Sequence, residues 1–134
     1  MAAVDAQCRE LRDLADGLVR SLQRTGVMLT YDRDGVSAIE AYIEANRAHW
    51  TEADGERMCG QIGCFVGECM IAVYGAQWSI RAQGDEPGVR VPTGDTAFPV
   101  TKAYKFLRGG PADSLLSFFD VMGTIIARGG ITQL

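Results

Sequence analysis

The chain has 134 residues, 47% of them hydrophobic and 22% charged, with a net charge of −4 and a pI near 4.9. Those figures fit one globular domain over residues 1–134 with a real core, and they exclude a disordered chain. They also argue against a nucleic-acid binder, which carries a basic stripe; the longest basic hint here is the scattered Lys102, Lys105 and Arg108.

The opening residues, MAAVDAQCRELRD, lack the apolar core of a signal peptide, so the expectation is a cytoplasmic protein. Asp5 to about Arg24 reads as an amphipathic helix. Cys8, Leu11, Ala15, Leu18 and Leu22 recur at three and four, while Arg9, Arg12, Asp13, Asp16 and Arg20 stay off that stripe. Thr25-Gly26 stops it. Val27 to Tyr31 is a brief strand or an extended connector, and Asp32-Arg33-Asp34-Gly35 is a turn. A second helix starts near Gly35 to Ser37, with Ser37 and Glu40 fitting a capping box and Asp34 as the alternative cap. Val36, Ile39, Ile43, Asn46 and Trp50 form its inner stripe; Glu40, Glu44 and Arg47 face outward.

Thr51 with Asp54 marks the start of a third helix near Glu52, joined to the second by an αα-hairpin or a sharp corner. From Met58 this helix is apolar on nearly every side. Met58, Ile62, Phe65, Val66, Cys69 and Val73 share one broad face. Gly60, Gly63, Cys64, Gly67 and Ile71 make the other side small, at a propensity cost of about 1 kcal/mol per glycine. Gln61 and Glu68 share one narrow polar edge. An all-round apolar helix is central to a domain or lies in a membrane. Spanning a bilayer takes roughly 20 apolar residues, and this shorter run carries Glu68, so no membrane segment is expected.

Gly75 ends that helix. Gln77 to Ala82 alternates as a strand with Trp78, Ile80 and Ala82 on one face. Asp85-Glu86-Pro87-Gly88 is a turn, Val89 to Val91 a second strand, Thr93-Gly94-Asp95 a turn, and Thr96 to Phe98 a third strand. Pro99 opens a helix to about Arg108, Gly109-Gly110 breaks it, and Pro111 opens the last helix to about Arg128. Its core stripe is Leu115, Phe118, Phe119, Met122, Ile125 and Ile126. The fold class is therefore α+β: about five helices around a small three-stranded antiparallel sheet, with a central apolar helix.

The chemistry-bearing residues are few. Cys59, Cys64 and Cys69 step by five, about 500° on a helix, so their side chains diverge and cannot jointly hold zinc; with Cys8 they read as reduced thiols. No metal site, cofactor or catalytic residue is expected. His49, the only histidine, has no thiol or orienting group beside it in sequence. Gly60, Gly63 and Gly67 lie inside a helical pattern with no lysine following, unlike a phosphate loop. Glu68 is the best-motivated single residue, because a buried ionised carboxylate must be paired or hydrogen-bonded. Its expected partners are Lys105 first and Arg47 second, or the Trp78 indole N–H, with Lys102 a further cation. Glu68, Trp78 and Lys105 are the candidate binding residues.

A resemblance follows from the order of residues. Gly63, then Gly67-Glu68 on an apolar helix, Trp78 on a strand, Phe98-Pro99, Lys105-Phe106-Leu107-Arg108-Gly109-Gly110 and Asp113-Ser114-Leu115 resembles short bacterial proteins catalogued as domain of unknown function 3806. The likeness covers about Ile39 to Phe119. It implies a bacterial cytosolic α+β domain with no established reaction, and it transfers no catalytic residue.

For function, the residues lean away from an enzyme and toward a non-catalytic protein-binding or interaction module with an unidentified protein partner. Two other readings stand beside it. An immunity-type inhibitor of a cationic toxin would use the acidic charge. A small enzyme would use Glu68 as general acid or base in a cleft. The short edge strand and the small-residue helix side leave a homodimer open.

Overall fold

A computed structural model describes residues 2–80, 86–109 and 113–131. The elements are α1 (Ala2–Gln23), α2 (Arg33–Asn46), a 3-10 turn (Arg47–His49), α3 (Glu52–Tyr74), β1 (Gln77–Ser79), β2 (Gly88–Arg90), β3 (Thr96–Ala97), α4 (Pro99–Gly109) and α5 (Leu115–Ala127). This is the expected α+β fold, mostly helical, with one antiparallel sheet in the order β1-β2-β3.

The fold is built round α3. Its start is fixed by a reciprocal cap: Thr51 accepts from the Asp54 N–H, and Asp54 accepts from the Thr51 N–H. Its end is fixed by Gly75 at φ 69, the left-handed region that glycine reaches without a Cβ penalty. Between them, every residue from Ile62 to Met70 is buried, whichever way it points. α1 and α4 flank the helix most extensively, and α2, α5 and the sheet close the rest. Small residues make the α4 and sheet contacts possible. A Cβ on Gly63 would stand 2.4 Å from Val100 Cα, and one on Gly67 would stand 2.4 Å from Trp78 Cη2. The small side is thus filled from within the chain, by α4 and by β1.

The sheet presents one cross-strand row to α3. Trp78 pairs with Val89, and Val89 with Ala97, so the three side chains point the same way. Val89 and Ala97 are buried, and the Trp78 ring covers Gly67. Three strands this short are marginal alone, and α3 supplies the apolar cover.

Several boundaries differ from expectation. α2 begins earlier, at Arg33, because Asp32 rather than Ser37 or Asp34 caps it, accepting from the Gly35 N–H at 2.9 Å. The Asp32–Gly35 stretch is therefore a cap and first turn. Val27 to Tyr31 is a connector laid on the core through Leu29. β1 ends at Ser79; Ala82 and Asp85 lie outside the described residues, as do Gly110 and Pro111. The last helix starts at Leu115 with Ser114 as its cap, not at Pro111.

Two core assignments also change. Val73 is 46% exposed; the last turn of α3 makes its core contact through its neighbour instead. That contact runs through Tyr74, whose ring stacks on Phe119 at 4.7 Å and whose hydroxyl donates to the Phe119 carbonyl. Phe119 is buried by this stack, and Phe118 is only half-buried. Glu40 does not face solvent idly: it accepts from the Ser114 hydroxyl at 2.8 Å and the Leu116 N–H at 3.2 Å, tying α2 to the start of α5. Glu86 does the same for α4, accepting from the Thr101 N–H at 3.0 Å. Arg47, expected to face outward, is half-buried with its guanidinium 4.5 Å over the Phe106 ring.

Candidate functional site

Glu68 is the one buried charged side chain among the described residues. α3 holds it in the middle of the all-round buried stretch, so its carboxylate has little water to solvate it. Two donors replace that water. Trp78 Nε1 donates to Oε2 at 2.6 Å, and Arg12 Nη1 donates to Oε1 at 3.0 Å. Both carboxylate oxygens are therefore engaged.

Arg12 extends the network outward. Its Nε donates to Asp16 Oδ1 at 3.1 Å, one helical turn on, and the Tyr31 hydroxyl donates to the same oxygen. The guanidinium lies 4.2 Å over the Tyr31 ring. One face of Arg12 is thus packed while its side chain stays 49% exposed. Burial, followed by the hydrogen bond to the Asp16 carboxylate, pushes the Tyr31 hydroxyl well above its ordinary range.

Of the expected partners, the structure brings Trp78 to Glu68 and not Lys105 or Arg47. Lys105 is exposed on α4, Arg47 pairs with Glu44 at 3.1 Å, and Lys102 pairs with Asp113 at 3.3 Å. The reason is rotational. α4 packs on the Gly63 side of α3, and Glu68 lies five residues on, about 140° further round the helix. α1 occupies that side. Arg12 lies off the apolar stripe of α1, so the periodicity alone does not name it as a partner. Its place at the border, one turn beyond Cys8 and next to Leu11, was the signal that could have named it.

The thiols are poorly placed for nucleophilic work. All four are free. Burial first, then the Glu68 charge, pushes the Cys64 thiol up to about 12. Burial first, then Asp32, raises Cys69, and burial with the charges of Asp5 and Glu68 raises Cys8. Protonated thiols are weak nucleophiles and poor metal ligands. Among the described residues no group of three or more His, Cys, Asp or Glu side chains gathers to hold a metal ion. His49 is exposed in the 3-10 turn. Among the described residues no helix is long and apolar enough to cross a membrane.

Open grooves among the described residues include three that Glu68 does not line. One, of about 470 Å³, runs between α1 and the first half of α3. A second, of about 310 Å³, lies by Gly75, Gln77 and Arg90. A third, of about 180 Å³, lies by Gln7, Leu11 and Ile80. Comparison with family models, with curated proteins and with solved structures finds no match to this chain.

Proposed function

We propose that this chain is a non-catalytic protein-binding module. The observation that carries the reading is the double engagement of Glu68. The residue best suited to acid–base work accepts from Arg12 Nη1 on one carboxylate oxygen and from Trp78 Nε1 on the other. Catalysis would need that carboxylate to meet a substrate proton within hydrogen-bond reach. Asp32, Glu40 and Glu86 are engaged at the chain's own helix starts, and the reading leaves the surface to act by contact.

That surface carries apolar side chains suited to a partner. Met28 is 67% exposed and Val121 55%. The immunity-type reading draws less support. Asp16, Asp54, Glu44, Glu52 and Asp120 are each paired with an arginine of the chain, which leaves those acids less free to meet a cationic partner. Gly63, Gly67, Glu68 and Trp78, which belong to the residue order quoted above, form one packed unit.

Affinity capture from the native host tests the reading. Wild type and Glu68→Gln, compared below the variant's melting range, should recover the same stoichiometric partner, and Met28→Asp or Val121→Asp should lose it. Recovery of no partner above background would overturn the reading, as would a substrate turned over by wild type and not by Glu68→Gln.

A further inference from the structure

We draw no further inference here: the strongest candidate, the open groove by Gly75, Gln77 and Arg90 where α3 ends against the sheet, has one charged side chain in its lining, and nothing in the structure shows what covers it.

Discussion

Alanine substitution at three glycines of α3 should give results of opposite sign, although all three sit in one helix. Replacing a helical glycine by alanine stabilises by about 0.5–1 kcal/mol when nothing opposes the new methyl. Gly60 meets that condition, because its Cβ would find no atom within 4 Å. At Gly63 the methyl would stand 2.4 Å from Val100 Cα and 2.8 Å from Val100 N. Those are backbone atoms of the first turn of α4, so the helix itself must move. Overpacking costs about 1–3 kcal/mol, and the backbone collision puts Gly63→Ala at the upper end, about 2 kcal/mol net destabilisation after the propensity gain. At Gly67 the obstacle is the rim of the Trp78 ring. A ring can tilt, but this one is tied to Glu68, so about 1 kcal/mol of net loss is expected. Urea denaturation with midpoints and m-values reads all three. If Gly63→Ala and Gly60→Ala shift the midpoint alike, the close packing of α4 on α3 is wrong.

Phe65 is fully buried against Tyr31, their rings 5.4 Å apart, and Phe65→Ala should cost about 3–5 kcal/mol in the same assay. Near pH 8, a thiol reagent should leave Cys64 and Cys69 unreacted in the native protein and titrate all four cysteines once it is unfolded; rapid native labelling of Cys64 would contradict its burial. On the acid side, the Thr30 hydroxyl and the Gly35 N–H hold Asp32 below the usual carboxylate range, and Arg33 holds Asp120 below it. A depressed folded value means stability that is present above the unfolded value, near pH ~4, and lost as pH falls through the lower folded value. Asp32→Asn keeps a capping side chain, so it should preserve neutral-pH stability and flatten that acid limb; an unchanged limb would contradict the assignment.

The architecture was legible because the strongest local signals agree with the packing. Thr51 with Asp54, Gly75, and the all-round apolar run of α3 each have one structural solution, and the structure adopts it. The Trp78 row facing α3 was legible for the same reason: a strand's side chains alternate by geometry. What was not legible is rotation and partner choice. Glu68 shows in the sequence as a carboxylate that needs donors, yet the side of α3 that α1 takes is set by packing across 56 positions of chain, the separation between Arg12 and Glu68. Glu40 and Glu86 look like solvated acids until the helix starts they cap are placed beside them. Asp32 displaced Ser37 as a cap because its carboxylate also receives the Thr30 hydroxyl, at 2.6 Å, a contact that the helical pattern does not encode.

The central claim is that Glu68 holds the fold, and chemical denaturation of Glu68→Gln tests it most directly. The amide keeps the shape but offers one acceptor where the carboxylate offers two. Whichever way it is turned, its NH2 group faces either Arg12 or the Trp78 N–H, donor against donor. Breaking a fully buried pair costs about 3–5 kcal/mol, but Arg12 is 49% exposed and keeps Asp16, so water takes up part of the loss. The expected cost is about 1.5–3 kcal/mol, the range for hydrogen bonds to charged groups. A midpoint lowered by that amount, at unchanged m-value, is the predicted result. A midpoint equal to or above that of wild type would contradict the account and return Glu68 to the class of strained, functional residues whose removal leaves stability intact.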